Sequence, residues 1–117
     1  MSEYRSPPLT PANFKARRIT ITPFLHLLPS DVIGSSNKNF PAKELLKLRW
    51  RQHAVETDIP SYPDPSGGPR GFFRSRSFVR TFLEDSGAEV GDRVVFEKLG
   101  SHEFRLHLEK PDGTLIG

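Results

Sequence analysis

The chain has no cysteine, a single methionine and a single tryptophan among its 117 residues. Without cysteine it can form neither a disulfide nor a thiolate metal site. It also lacks any run approaching the roughly 20 apolar residues that span a bilayer, and residues 1–8 lack the apolar core of a signal peptide. We therefore expect a soluble cytoplasmic protein with one domain, since a chain of this length accommodates one core.

Aliphatic residues are also few, and nine phenylalanines supply much of the apolar bulk, while eleven prolines and nine glycines punctuate the chain. Such a composition is typical of a turn-rich β or α+β domain. Residues 1–16 contain Pro7, Pro8 and Pro11 and show no periodicity, so we expect them to form a flexible or loosely attached N-terminal arm. The folded domain is expected over residues 17–117.

Hydrophobic periodicity and turn residues divide this domain into predicted elements. The clearest is the last strand, in which Phe104, Leu106 and Leu108 alternate with polar residues. In chain order, the pattern predicts a strand at 19–22, a polar loop at 29–39, a helix at 41–48, a strand at 49–59, an exposed connection at 59–68, a helix with Ser77 as N-cap and Gly87 as C-cap, and two strands joined by a turn at 100–101.

Acidic residues are absent from the eleven positions Arg70–Arg80, which contain four arginines. The rest of the charge is mixed, and residues 81–117 are acidic overall, with four basic and eight acidic side chains. A local cationic segment favours a polyanionic partner such as DNA or RNA. Phe72 and Phe73 lie among the arginines and are expected to anchor the guanidinium groups. The alternative is a solvated loop with Arg80 on the polar face of the following helix.

The candidate catalytic motifs in this sequence do not have the residue spacing that their chemistry requires. The histidines of the His102-Glu103 and His107 group lie five residues apart on a predicted strand, whereas a zinc-protease motif needs them four apart on a helix. No serine lies in a nucleophile elbow, and no glycine-rich loop matches a phosphate-binding fingerprint. Glu56 and Asp58 leave open a small metal-dependent nuclease. Otherwise we expect no enzyme activity, no metal and no cofactor.

The order of several short motifs is similar to a known family. These motifs are Leu28-Pro29-Ser30-Asp31-Val32 with Gly34, Phe40-Pro41-Ala42-Lys43-Glu44, Glu56-Thr57-Asp58-Ile59, Phe72-Phe73-Arg74-Ser75-Arg76 and Val90-Gly91-Asp92-Arg93-Val94-Val95-Phe96-Glu97. Together they resemble the B3-type DNA-binding domain over residues 17–109. The similarity is greatest to the B3-like recognition and effector domains of bacterial restriction endonucleases, of the EcoRII and BfiI kind.

The resemblance implies a mainly β fold with two short helices, an open seven-stranded pseudobarrel that grips the DNA major groove with two arms. The N-arm would be Ser35, Ser36, Asn37, Lys38 and Asn39, and the C-arm would include Thr57, Asp58, Arg70, Arg74, Ser75 and Arg76. The side-chain chemistry suits base reading by Asn37, Asn39, Arg74 and Arg76, a cytosine contact by Asp58, and phosphate contacts by Lys38, Arg70 and Arg80.

The resulting expectation is a monomeric, sequence-specific binder of double-stranded DNA. It would be a non-catalytic recognition or effector module of a bacterial restriction enzyme, with a fused or associated nuclease as partner. Besides the small nuclease, the open alternative is a swapped-hairpin transcription regulator of the AbrB type. Such a regulator also has a Gly-Asp-x-Val-x-Phe strand, but it is an obligate dimer of shorter chains.

Overall fold

A computed structural model of the chain describes residues 3–63 and 67–117. Its elements are β1 (Glu3–Arg5), α1 (Pro11–Ala16), two 3-10 helices (Thr22–Leu27 and Ser30–Val32), β2 (Leu46–Trp50), β3 (His53–Thr57), α2 (Arg76–Asp85), β4 (Arg93–Gly100), β5 (Glu103–Glu109) and β6 (Leu115–Ile116). None of the helices in the described part of the chain is long and apolar enough to cross a membrane.

The six strands form one open mixed sheet in the order β1-β4-β5-β2-β3, with β6 also paired to β5. One edge of β5 pairs with β4, and the other is shared by β2 near Phe104 and β6 near Leu108. The β2–β5 pair is parallel and the others are antiparallel. The expectation of a sheet-based fold with short helices is confirmed at this level, but the residues described here show six strands and no barrel closure.

The core is formed by buried residues of the sheet, of α2 and of the connecting segments, among them Phe24 and Phe73, whose rings pack on Phe96. Phe104, Leu106 and Leu108 are buried, as their alternation predicted. Helix α2 contributes Phe78, Val79, Phe82 and Leu83, and Phe82 meets Trp50 edge-on with ring centroids 4.7 Å apart. The predicted helix end is confirmed to within one residue: Ser86 is the C-cap, and Gly87 follows it with a φ of 69° that favours glycine. The N-terminal boundary differs, because Ser75 rather than Ser77 is the N-cap residue.

The predicted helix at 41–48 is wrong, since Leu46–Trp50 form strand β2. Leu46, Leu48 and Trp50 are buried at period two, and pairing with β3 on one side and β5 on the other outweighs the helix propensity of this segment. The strand predicted at 49–59 is divided by a tight turn, because Trp50 pairs with His53 and Arg51 has a φ of 52°.

The strand predicted at 19–22 is also wrong, since none of the strands in the described part of the chain includes these residues. Ile19 and Ile21 are buried, but Thr22 begins a 3-10 helix with Pro23 in its first turn. Proline has no N–H for a ladder and is well placed at a helix start. The Ile21 N–H instead donates to the Gly71 carbonyl, which ties this segment to the arginine-rich stretch.

The expectation of a flexible or loosely attached arm does not hold for residues 3–16. Strand β1 pairs with β4, and Leu9 is buried. Thr10 and Asn13 form a capping box at the start of α1. Backbone hydrogen bonds from Ser6 to Val94 and from Leu9 to Asp92 continue the attachment. Residues 1–2, and residues 64–66 in the predicted connection, lie outside the described part of the chain.

Candidate nucleic-acid interface

The polar loop predicted as the N-arm is an exposed, internally hydrogen-bonded turn, which we call the 35–40 loop. The Ser35 hydroxyl donates to the carbonyls of Asn37 and Phe40, and the Asn39 N–H donates to Asn37 Oδ1. These bonds use part of the Asn37 side chain and leave the side chains of Ser36, Lys38 and Asn39 in solvent. Phe40 follows them with 68% of its surface exposed. The turn is thus built to present polar groups and one cation.

A second projecting segment, residues 60–63 with 67–70, lies against this loop. Ser61 bridges to Pro69, and the Arg70 N–H donates to the Pro60 carbonyl at 2.8 Å. The Ser61 hydroxyl donates to the Gly34 carbonyl at 2.7 Å, directly before the 35–40 loop. The two regions predicted as separate arms are therefore neighbours.

An ion pair between Asp58 and Arg74 ties the 35–40 loop to the segments after β3 and before α2. Arg74 Nε and Nη2 donate to the two carboxylate oxygens at 2.6 and 3.1 Å, and Nη2 also donates to the Ser35 carbonyl at 2.6 Å. The Ala42 N–H donates to the same carboxylate at 2.8 Å. The Asp58 side chain is only 3% exposed and that of Arg74 21%. Both residues were predicted to contact bases, but their polar groups are used mainly to hold the two loops together.

Gly34 makes this arrangement possible. A Cβ at this position would overlap the Asp58 carboxylate and lie 2.7 Å from the Ala42 nitrogen and 2.9 Å from Arg74 Nη2. Any side chain here would therefore displace the ion pair. Because Gly34 has no side chain, the backbone before the 35–40 loop can pass directly over the Asp58–Arg74 pair.

A group of arginines lies beside these loops, which we call the arginine cluster: Arg18, Arg70 and Arg76, with the rings of Tyr62 and Phe72. The guanidinium carbon of Arg18 lies 3.9 Å from the centroid of Phe72. That of Arg70 lies 5.0 Å from Tyr62 and 5.9 Å from Phe72. Aromatic faces attract guanidinium groups and fix their planes. The cluster therefore displays oriented cations.

The cluster is electrostatically unbalanced. Burial lowers the pKa of Arg18, and the nearby positive charges of Arg76 and Arg70 lower it further. Within residues 3–63 and 67–117, no carboxylate forms an ion pair with these three arginines, whereas Arg74 and Arg80 both have acidic partners. The Nε atoms of Arg18 and Arg70 are buried without a hydrogen-bond partner. An anion bound here would relieve the repulsion between these cations.

Four of the residues predicted to contact DNA remain to be placed: Thr57, Ser75, Arg76 and Arg80. Arg76 begins α2 and is exposed, and its position is fixed because the Ser75 N–H donates to the buried Thr57 hydroxyl at 3.0 Å. Thr57 and Ser75 thus act within the fold. Arg80 forms an exposed pair with Glu84 at 2.9 Å, which neutralises its charge. Cations that lie close together in sequence therefore differ in the structure. Arg74 and Arg80 are paired with carboxylates, whereas Arg76 is exposed without an ion-pair partner in the described residues.

Arg18 is the residue that sequence reasoning missed. It follows the left-handed residue Arg17 at the end of α1, and its N–H donates to the Asn13 carbonyl at 3.0 Å. Because residues 1–16 were expected to be loosely attached, nothing in the pattern gave Arg18 a fixed position. The capping-box residues Thr10 and Asn13 were the available signal, since they indicate a helix that begins at Pro11, shortly before Arg18.

The acids and histidines do not form a metal centre in the described ranges, where no group of three or more potential ligands is found. Asp58, one of the two acids of the nuclease alternative, has both oxygens engaged by Arg74 and the Ala42 N–H. Glu56 is exposed on β3. Comparisons with protein-family models, with curated proteins and with solved structures found no match.

Proposed function

We propose that this chain is a sequence-specific binder of double-stranded DNA. One observation carries the proposal: Arg18 and Arg70 converge from separate segments on Phe72, Arg76 adds its charge nearby, and no carboxylate in the described residues pairs with any of the three. Preorganised guanidinium groups bind phosphates and base edges with less loss of side-chain entropy than mobile ones. Structural ion pairs would instead bring acids to such a cluster.

The neighbouring 35–40 loop extends this surface with groups suited to DNA. Lys38 supplies a mobile cation for a phosphate, and the Asn39 amide can pair with an adenine edge. Arg76 is the proposed base reader of the arginine-rich stretch, since it is exposed at the start of α2. In this proposal Asp58 and Arg74 position the 35–40 loop against this stretch, and Arg80 contributes little because Glu84 neutralises it.

The proposal includes the finer architecture, an open seven-stranded B3-like pseudobarrel. Extended pairing continues beyond the six strands, in a parallel bridge between Ile33 and Ile59 and in the hydrogen bond from Ile21 to Gly71. It further includes the biological setting, a non-catalytic recognition or effector module that acts as a monomer with a nuclease domain in a bacterial cytoplasm. These features are proposed from the resemblance of the motifs.

The test begins with selection of bound oligonucleotides from a random duplex pool, followed by affinity measurements on the selected and a scrambled duplex. Arg76→Ala should cost about 1 to 3 kcal/mol on the selected duplex and reduce the preference for it. Lys38→Ala should weaken both duplexes alike and flatten the salt dependence. Arg5→Ala is the matched control, because Arg5 lies on β1 and is ion-paired with Glu109.

Two results would overturn the proposal. One is the absence of duplex binding at low salt, and the other is an equal loss on both duplexes for Arg76→Ala and Lys38→Ala. Incubation of plasmid with magnesium tests the nuclease alternative, which requires cleavage. A sedimentation measurement on the DNA-free protein tests the dimeric regulator, which requires a dimer.

A further inference from the structure

Two guanidinium groups of the arginine cluster share one aromatic platform. Arg18 lies over Phe72 at 3.9 Å, and Arg70 lies 5.9 Å from the same ring while contacting Tyr62 at 5.0 Å. The backbone fixes both residues, because the Arg18 N–H donates to Asn13 and the Arg70 N–H donates to Pro60. The two side chains come from positions 52 residues apart and meet only in the folded protein.

The state of the two Nε atoms indicates how this pair can bind a ligand. Both are buried and have no hydrogen-bond partner, so the guanidinium groups have lost hydration on one edge without replacement. Their terminal nitrogens remain as the donors available to a ligand. Since the two cations also repel each other, an anion that accepts from both would gain more than it would from a solvated surface arginine.

We propose that Arg18 and Arg70 together bind one phosphate group, with Phe72 as the platform that holds the two guanidinium planes. A phosphate fits because its several oxygens can accept from two planar forks at once. The identification of this phosphate as part of a DNA backbone rests on the proposed function, whereas the site chemistry is the same for a free phosphate. Arg18 would then contribute affinity without sequence preference.

The test on DNA combines protein variants with duplexes in which one phosphate linkage is replaced by an uncharged one. Single methylphosphonate linkages are placed in turn along the duplex bound by the protein. We expect one linkage to weaken the wild type roughly tenfold, to have a smaller effect on Arg18→Met and on Arg70→Met, and to have no further effect on the double variant. Replacing both arginines should also reduce the slope of log affinity against log salt by about 0.9, the value for one phosphate contact, and each single variant should reduce it by less. Methionine keeps the apolar packing on Phe72.

Two further variants complete the test. The first separates the planar geometry of the Arg18 guanidinium from its charge, and the second is a control. Arg18→Lys keeps the charge but loses the planar fork, so it should retain the salt slope while binding more weakly than the wild type. Arg5→Met is the matched control and should retain full sensitivity to the identified linkage, because Arg5 is paired with Glu109. Unfolding followed by Trp50 fluorescence shows that each variant is folded, and Arg70→Met carries the linkage test if Arg18→Met is not.

The outcomes distinguish this proposal from the proposed function. DNA binding in which Arg18→Met remains as sensitive to every linkage as the wild type would overturn the phosphate site alone. If the protein binds no duplex, inorganic phosphate is titrated instead and followed by the amide signals of residues 18 and 70–72. Binding that Arg18→Met abolishes would support the site with a free phosphate as ligand, and no binding would refute both proposals.

Discussion

Replacing Arg74 with leucine removes the cation from a carboxylate that is almost completely buried. Asp58 would keep one described donor, the Ala42 N–H at 2.8 Å, and lose two contacts at 2.6 and 3.1 Å. Breaking a buried ion pair from one side typically costs 3 to 5 kcal/mol because an uncompensated charge remains. Since Arg74 is 21% exposed and water can reach its position, we expect the lower end, about 3 kcal/mol.

Urea unfolding followed by the fluorescence of Trp50 measures this cost. Trp50 is fully buried against Phe82, so unfolding changes its surroundings completely. A double-mutant cycle with Asp58→Asn separates the pair from other losses, and we expect the double variant to lose about 1 to 3 kcal/mol less than the sum of the single ones. Arg80→Leu is the matched control, because its pair with Glu84 is 56% and 61% exposed and should be worth less than about 0.5 kcal/mol.

Two results would refute this reasoning. In the first, Arg74→Leu costs no more than Arg80→Leu, so that burial adds nothing to the pair. In the second, the losses of Arg74→Leu and Asp58→Asn are additive. Either would mean that the Asp58–Arg74 pair does not hold the 35–40 loop against the arginine-rich segment.

Further predictions concern positions outside this pair. Gly34→Ala should destabilise the protein by about 1 to 3 kcal/mol in the same unfolding assay, because its Cβ would displace Asp58, and Gly100→Ala provides a comparison at a position where a Cβ would meet its nearest atom at 3.9 Å. Arg80→Gln should leave DNA affinity within about twofold in a binding titration, since Glu84 already neutralises the cation; a loss as large as that of Arg70→Gln would contradict this. Hydrogen bonds to Asp92 and Glu89 raise the pKa of Lys110 above its ordinary 10.5. The stabilisation is therefore complete below the unfolded-state pKa and is lost as pH rises through the folded-state value. The stability advantage of the wild type over Lys110→Met, measured by urea midpoints, should shrink only above pH about 10.5.

Local patterns were reliable where packing agreed with them. The alternation of Phe104, Leu106 and Leu108 and the helix ending before Gly87 both appear in the structure. The helix prediction at 41–48 failed because the segment is compatible with both a helix and a strand. Its residues are good helix formers, but Leu46, Leu48 and Trp50 are also buried at every second position, as in a strand. The presence of partner strands on both sides decided between them, and a single segment does not reveal its partners.

By itself, the sequence determined the kind of surface this protein has. The acid-free stretch at 70–80 is a cationic segment, the residues at 35–39 are a polar loop, and the lack of cysteine excludes disulfides and thiolate metal sites. Only the tertiary structure decided which arginines remain available. It paired Arg74 with the buried Asp58, paired Arg80 with Glu84 and brought Arg18 to Phe72 from outside the stretch. The physical reason is that the electrostatic state of a side chain depends on burial and on neighbours within a few ångströms, and folding brings most of these from distant parts of the chain.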